Sequence, residues 1–356
     1  MKKIGLITPL AVILSLQVLI SSCGSSATTT TKPGAWDKIG DFDGYTRSGA
    51  VTFMINGVPY VGMGYNAGFN KRLNDFYSYD GENDSWTKVA DFPGVARTNA
   101  VAFVIAGKAY VGTGYDDNQN VLSDFWKFDP AGGGTWTQVH DFGYSATNST
   151  PALVRYGAIG FSINDRGFVG GGEDKSLTGY KDFWEYLPGS DEWVKRPSLG
   201  GSKRWNAFVM VIDGYAYIGG GQDNGTFPTD FWKFDVSQVD SGNPWIALDA
   251  LDQRDNLGNA ETEPKSRESG VTFAIAGKGY LVAGSLGFAQ GDTWQYDPAT
   301  DNWVEYYSLN SEAPSRYSAV GFGIGNYGYI TTGSNGSLRY DDVWKFDPLG
   351  TEPNYK

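Results

Sequence analysis

The stretch that decides the fold covers residues 97–114 and reads RTNAVAFVIAGKAYVGTG. It contains two apolar runs, which are separated by the turn Ala106-Gly107. Two apolar runs joined by so short a glycine-containing turn predict a tight β-hairpin. The turns Asn56-Gly57 and Asp213-Gly214, in similar stretches elsewhere, favour the same structure.

This hairpin unit occurs six times in the chain. Every copy begins with an arginine and ends with a glycine 17 positions later, and the copies align without gaps. Self-similarity with a period of roughly 50 residues is typical of propellers and other repeat folds. The copies cover residues 47–64, 97–114, 155–172, 204–221, 267–284 and 316–333.

Two further short runs follow each hairpin. The third run begins with an aspartate, and in five copies a fourth run begins with a tryptophan. The aspartates are Asp75, Asp124, Asp182, Asp230, Asp292 and Asp342, and the tryptophans are Trp86, Trp136, Trp193, Trp245 and Trp303. Because four antiparallel strands form one propeller blade, the sequence predicts an all-β, six-bladed β-propeller.

At these residues the sequence resembles the kelch repeat family, in which an apolar strand and a glycine-rich strand precede an aromatic residue and then a tryptophan. The resemblance covers about residues 36–347. It implies a kelch-type propeller with a galactose oxidase-like fold. It does not select a function, because kelch propellers include oxidases, epimerases and many non-catalytic interaction modules.

The two ends of the chain predict how the ring closes. The sixth copy has no tryptophan run after Asp347, whereas residues 36–39 precede the first copy and match residues 86–89. We therefore expect the N-terminal strand to complete the sixth blade, which removes an exposed sheet edge. A single propeller domain is expected over residues 35–356.

Residues 1–22 are predicted to be a lipoprotein signal peptide. Lys2 and Lys3 form its charged start, an apolar stretch follows, and Ser21-Ser22-Cys23 resembles the site at which bacterial lipoproteins are acylated. Residues 23–34, rich in serine and threonine, are expected to be a flexible tether. We expect the protein in the bacterial cell envelope, on its periplasmic or outer side, with the lipid on Cys23 as its only attachment to the membrane.

The composition excludes several function classes. With 28 lysines and arginines against 40 acidic residues in 356, the formal charge of −12 argues against a nucleic-acid partner. A single histidine and a single cysteine exclude a Ser-His-Asp triad, Cys/His metal sites and the copper chemistry of galactose oxidase. The Ser-x-Asp-x-Gly-x-Thr-Trp box of sialidases is missing from every copy. We expect no metal, no cofactor and a monomer.

The six repeated arginines allow two interpretations. They could form a cationic ring around the central channel, because arginine binds oxyanions with two nitrogens. Alternatively, each could pair with the aspartate that begins the third strand, since both lie at the same end of a blade. The salt bridge is the favoured interpretation, because residues present in every copy belong to the blade framework.

A ligand site should use residues that differ between blades. Such residues lie just after the aligned glycine and within two positions of the arginine, at the end of the blades that carries the loops between strands two and three. We call this end the loop face. The long connections at residues 138–151 and 248–266 are expected to form walls on it. The predicted ligand-binding residues are Tyr115, Glu173, Gln222, Trp205, Asn99 and Asn206.

These residues predict a non-catalytic module that binds a glycan or a protein. Aromatic rings can stack on a sugar or a peptide, and amide groups can hydrogen-bond either one. The alternative is a sialic-acid-type sugar epimerase or mutarotase, because periplasmic N-acetylneuraminate epimerases are similar in size, blade number and export. In that alternative Glu173 is the candidate base, and Arg155 or Arg204 binds the sugar carboxylate. His140 is expected to be a solvated loop residue.

Overall fold

The computed structural model describes residues 32–147, 152–252 and 262–351. This part of the chain contains six four-stranded antiparallel sheets, which form the blades of a β-propeller. The predicted all-β fold is thus confirmed. The signal peptide, Cys23 and the tether up to residue 31 lie outside the described residues. Within the described ranges, no helix has the length and apolar character needed to cross a membrane.

The strands are numbered in chain order, and each blade runs from the central channel outward. Blade one contains β2 Val51–Ile55, β3 Val58–Gly62, β6 Phe76–Asp80 and β7 Ser85–Lys88; blade two contains β8 Val101–Ile105, β9 Lys108–Gly112, β10 Phe125–Asp129 and β11 Thr135–Val139; blade three contains β12 Tyr156–Ile163, β13 Arg166–Glu173, β14 Phe183–Leu187 and β15 Glu192–Arg196.

Blade four contains β16 Phe208–Ile212, β17 Tyr215–Gly219, β18 Trp232–Asp235 and β19 Trp245–Ala247; blade five contains β20 Val271–Ile275, β21 Lys278–Val282, β22 Thr293–Asp297 and β23 Asn302–Tyr306; blade six contains β24 Val320–Ile324, β25 Tyr327–Thr331, β26 Asp342–Asp347 and β1 Ala35–Asp41. A small extra hairpin in blade one pairs β4 Tyr65–Asn66 with β5 Lys71–Arg72. Short 3-10 helices cover Ala131–Gly133, Val236–Gln238 and Leu309–Ser311.

The core is divided among the six interfaces between neighbouring blades. In β8, Val101, Phe103 and Ile105 are buried and alternate with half-buried residues, because successive side chains of a strand point to opposite faces. Phe103 stacks on Tyr110 of β9 with ring centroids 5.3 Å apart. Equivalent aromatic stacks occur in blades one, three, five and six. Each interface is filled by one cluster of buried apolar residues.

The N-terminal strand completes blade six, as the sequence predicts. β1 pairs antiparallel with β26, and Trp36 lies opposite Phe346. Trp36 is buried, and its indole N–H donates to the hydroxyl of Thr293 and the carbonyl of Tyr307, each at 3.2 Å. The Tyr307 amide donates in turn to the carbonyl of Pro33 at 2.7 Å. The attachment to the propeller therefore includes the last residues of the predicted tether.

Six arginine–aspartate pairs, one within each blade, join the start of strand one to the start of strand three at the loop face. This confirms the favoured interpretation of the repeated arginines. The arginine side chains are at most 1% exposed. In four blades, two guanidinium nitrogens meet two carboxylate oxygens at 2.6–3.2 Å. Arg267 pairs with Asp292 in the same way, and Arg204 contacts both oxygens of Asp230 through Nη2. The arginines therefore do not form an exposed cationic ring.

Five of the six aspartates in these pairs are held as carboxylates. These five also accept a hydrogen bond from the indole N–H of the tryptophan two residues later. Burial by itself would raise the pKa of these five carboxyls, but the arginine outweighs it, and their pKa lies below the ordinary 3.8. The pairs therefore stabilise the fold above that pH, and this stabilisation is lost on acidification.

Two rings of backbone hydrogen bonds join the blades to one another. The carbonyl of each repeated arginine accepts from the aligned glycine of the preceding blade, at 2.8–2.9 Å. These glycines have φ between 83° and 106°, a backbone conformation that is strained for residues other than glycine. The residue two positions after each arginine donates its amide to its counterpart in the preceding blade, at 2.7–3.3 Å. This second ring surrounds the mouth of the channel.

Deletion of residues 23–40 should lower the melting temperature sharply, because it leaves β26 with an unpaired edge and removes Trp36 from the core. Deletion of residues 23–31, which precede every contact described here, is the control and should have no effect. Trp36→Ala alone should lower the free energy of unfolding by about 3–5 kcal/mol. Thermal and urea unfolding measure these effects. Equal stability of the two truncated proteins would contradict closure by β1.

Arg97→Ala should lower the free energy of unfolding by about 3 kcal/mol, because it leaves the Asp124 carboxylate without its partner. Lys88→Ala, which removes an exposed pair with Asp91, is the control and should cost at most about 1 kcal/mol. Urea unfolding at pH 7 gives both values. If the two variants lose the same stability, the buried pair does not stabilise its blade more than an exposed pair does.

Candidate functional site

A cavity of about 580 Å³ opens on the loop face, at the mouth of the central channel. This volume lies in the range of small-molecule sites. Four of the predicted ligand-binding residues, Asn99, Tyr115, Trp205 and Asn206, line it together. All six blades contribute to the lining, which also includes Arg72, Gln119, Val121, Tyr156, Lys175, Leu177, Glu268, Ser269, Tyr317 and Ser318.

Three aromatic rings form one wall of this cavity. Tyr115 packs edge-to-face on Tyr156 with centroids 5.0 Å apart, and Tyr156 packs in the same manner on Trp205 at 5.9 Å. Backbone bridges fix the ends of this wall, since Tyr115 pairs with Thr98 and Trp205 pairs with Gln222. The rings therefore offer apolar surface with polar groups at the tips, in positions set by the blade framework.

Two side-chain amides stand beside the aromatic wall. Asn99 and Asn206 belong to the ring of hydrogen bonds around the channel mouth and have φ of 54° and 51°. Asparagine tolerates this left-handed conformation better than most residues, so the backbone alone accounts for the residue type. The amide of Asn206 also donates to the Glu268 carboxylate at 3.4 Å. Both amides can reach a ligand because they line the cavity.

Glu173 lies behind the aromatic wall. It is the buried last residue of β13 and accepts a hydrogen bond from the Tyr156 hydroxyl. Burial raises the pKa of Glu173 above its ordinary 4.5, and the charge of Asp174 adds to this, while the bond from Tyr156 opposes it. Burial and the bond to Glu173 raise the pKa of Tyr156 as well. Glu173 therefore acts on the cavity through Tyr156.

Glu268 is a second carboxyl at the site, and the sequence prediction missed it. It lines the cavity and is half-buried. Burial raises its pKa above 4.5 and the charge of Glu173 raises it further, while the hydrogen bond from Asn206 opposes the shift. A signal was present in the sequence. Glu268 directly follows Arg267, in the column that holds Tyr156 and Trp205 in other blades, and it is the only acidic residue of that column.

Three other predicted residues do not line the cavity. Arg155 and Arg204 do not reach it, contrary to the role expected for them in the alternative function, because both guanidinium groups are buried against Asp182 and Asp230. Gln222 is half-buried, and its backbone pairs with Trp205. It therefore supports the aromatic wall from outside.

The other walls of the cavity come from the loops between strands two and three. Arg72, Gln119 and Lys175 belong to these loops. Carboxylates shape two of them: Asp116 accepts the amides of Asn118 and Asn120, and Asp174 those of Ser176 and Thr178, at 2.8–3.2 Å. Aspartate commonly folds a loop in this way.

The long connections do not form the expected walls in the part of them that is described. Residues 138 and 139 belong to β11, and residues 148–151 and 253–261 lie outside the described ranges. His140 lies at the outer edge of the propeller, where its amide and Nδ1 contact Asp191 of blade three. Its ring stacks on Tyr144 and is about half exposed. Within the described residues, no group of three or more His, Cys, Asp or Glu side chains is placed to hold a metal ion.

One comparison with known proteins supports the fold. A solved structure described as the structure of YjhT superposes with a TM-score of 0.66 at 15% sequence identity, over 85% of this chain and 95% of that chain. At this identity the similarity concerns the propeller fold and not the function. No protein-family model and no curated protein matches the sequence. Membership of the kelch family therefore stays a prediction.

Glu173→Gln should stabilise the protein more at pH 7 than at pH 4. A pKa raised by folding means that the carboxyl favours the fold while it is protonated, below about pH 4.5, and that this contribution is lost as the pH rises. Glutamine keeps an acceptor for Tyr156 without that loss. Melting temperatures at the two pH values measure the effect, with the exposed Glu82→Gln as control. If the melting temperatures of Glu173→Gln and the natural protein differ by the same amount at both pH values, the pKa of Glu173 is not raised by folding.

Proposed function

We propose that this protein is a non-catalytic, lipid-anchored binding module of the bacterial cell envelope, and that a glycan binds in the loop-face cavity. The wall of Tyr115, Tyr156 and Trp205 beside the amides of Asn99 and Asn206 carries this proposal. Aromatic rings stack on the apolar faces of sugar rings, and amides hydrogen-bond the hydroxyl groups. A protein ligand would have to insert a side chain or a chain end into the same cavity.

The distribution of these groups supports a small ligand without six-fold symmetry. The aromatic wall and both amides come from blades two, three and four, whereas blades five and six contribute Ser269 and Ser318 at the positions of the amides. An asymmetric ligand can be oriented only by such differences. The cavity volume of about 580 Å³ suits one or two sugar rings.

The lipid anchor rests on the sequence around Cys23. It would hold the propeller at a membrane without a charged contact, because the net charge of −12 disfavours adsorption to anionic lipid headgroups. The lipid on Cys23 would then be the only membrane attachment, and the loop face would serve the ligand.

A sialic-acid-type epimerase or mutarotase is the second candidate function. The observation that favours it is the pair of carboxyls with raised pKa, Glu173 and Glu268, near one cavity. Exchange of sugar anomers through the open chain needs a base for the anomeric hydroxyl proton and an acid for the ring oxygen. Glu268 and Tyr156, whose hydroxyl donates to Glu173, both line the cavity and are the candidates for these two roles.

Trp205→Ala should weaken glycan binding at least tenfold, because it removes one end of the aromatic wall. Tyr327→Ala, which removes an exposed aromatic ring at the start of β25 at the opposite end of the blades, is the control and should leave binding unchanged. A glycan array with the mature chain selects the ligand, and calorimetric titration measures its affinity. If Tyr327→Ala is the more damaging change, the loop face is not the working surface.

An NMR assay of anomer exchange with N-acetylneuraminic acid separates the two candidate functions, when it is run on the natural protein and on Glu268→Gln. Glycan binding with no acceleration of the exchange supports the binding module. Accelerated exchange that Glu268→Gln abolishes, while binding is retained, supports the epimerase.

A further inference from the structure

A second cavity of about 500 Å³ adjoins the first on the loop face and presents two arginines that belong to no blade pair. Arg72 comes from the extra hairpin of blade one, and Arg339 from the loop between strands two and three of blade six. Arg72, Asn99 and Tyr115 line both cavities. A ligand seated on the aromatic wall can therefore extend into the second cavity.

Arg72 is held in place by aromatic rings and one carboxylate. It lies opposite Tyr65 in the β4–β5 pair, and its guanidinium carbon is 4.5 Å from the centre of the Tyr115 ring and 5.5 Å from that of Tyr65. Nη1 contacts Asp117 at 3.0 Å, and the side chain is 14% exposed. Nε is buried and has no hydrogen-bond partner among the described residues. An ordered guanidinium whose pairing is incomplete is pre-organised for an oxyanion.

Arg339 approaches the same tyrosine from blade six. Its guanidinium carbon is 5.2 Å from the centre of the Tyr65 ring, and Nη1 donates to the carbonyl of Gly336 at 3.2 Å. Its Nε is also buried without a hydrogen-bond partner in the described ranges. Two guanidinium groups from different blades thus share one aromatic ring.

The charge of this cavity is opposite to that of the chain. Asp117 is the only carboxylate among its lining residues, against two arginines, whereas the chain carries a net charge of −12. Partly buried cations with incomplete pairing favour an anionic partner, because the charge is poorly solvated. The excess of positive charge is therefore local to this cavity.

We propose that this second cavity is an oxyanion subsite, which binds the carboxylate or sulfate ester of an acidic glycan whose sugar ring lies on the aromatic wall. This inference rests on the proposed glycan binding and names its ligand class. Arg72 and Arg339 supply the charged donors, since a guanidinium can offer two parallel N–H groups to either anion. Tyr65 keeps the two cations in place.

The subsite is first tested with inorganic sulfate alone, so that its failure is separate from a failure of glycan binding. At constant ionic strength, millimolar sulfate should raise the melting temperature of the natural protein. Arg72→Gln and Arg339→Gln should each abolish the shift. Lys71→Gln, which removes an exposed charge from the same hairpin, is the control and should keep it. A shift retained in both arginine variants, or lost equally in Lys71→Gln, overturns the subsite.

The second test compares three tetrasaccharides by calorimetry: neutral chitotetraose, unsulfated chondroitin, and chondroitin 4-sulfate. The natural protein should bind the acidic sugars at least tenfold more tightly than chitotetraose, and Arg72→Gln and Arg339→Gln should remove this preference. Equal affinity for the two chondroitins assigns the subsite to the carboxylate, and tighter binding of the sulfated form assigns it to the sulfate ester. A preference that survives in both variants overturns the proposal, whereas failure of all three sugars to bind counts against glycan binding itself.

Discussion

The propeller depends on one residue used in two ways. The side chain of each repeated arginine joins the start of strand one to the start of strand three of its own blade, through a carboxylate 25–28 residues later. Its backbone carbonyl accepts a hydrogen bond from the glycine of the preceding blade. The same residue therefore stabilises the blade and sets its position against its neighbour, which explains why arginine and glycine keep a constant spacing in all six copies.

The inner ring of hydrogen bonds places a second constraint on the sequence. Every residue in it has φ between 51° and 62°, so the ring admits glycine, asparagine or serine more readily than bulky or β-branched residues. The ring also lies where the channel opens onto the loop face. Small or amide side chains are thus required there by the backbone, and two of them, Asn99 and Asn206, become available to a ligand as a consequence.

The fold could be predicted from the sequence because the same local pattern of residues is repeated in every blade. The hairpins, the closure by Trp36 and the pairing of Arg97 with Asp124 follow from spacing and chain order. The site was predictable only in part. Tyr115 and Trp205 were found because they occupy positions of the repeat at which the residue type differs between blades. Arg72 was missed because it lies in a loop that no other copy matches. Whether a loop side chain faces a cavity depends on turns within that loop, such as those made by Asp116, and periodicity does not encode them.

Position in the repeat decides what an arginine does in this protein. An arginine that begins strand one meets an aspartate of its own blade, becomes buried and is neutralised, and this removes it from any ligand. Arg155 is such a residue, although it directly precedes Tyr156 of the aromatic wall and its guanidinium carbon lies 4.6 Å from the centre of the Tyr180 ring. Arg72 and Arg339 lack that partner, because they lie in loops beyond strand two, and tyrosine rings hold them instead. The framework thus pairs the repeated arginines within the blades, and under the proposed function ligand recognition depends on residues that occur only once.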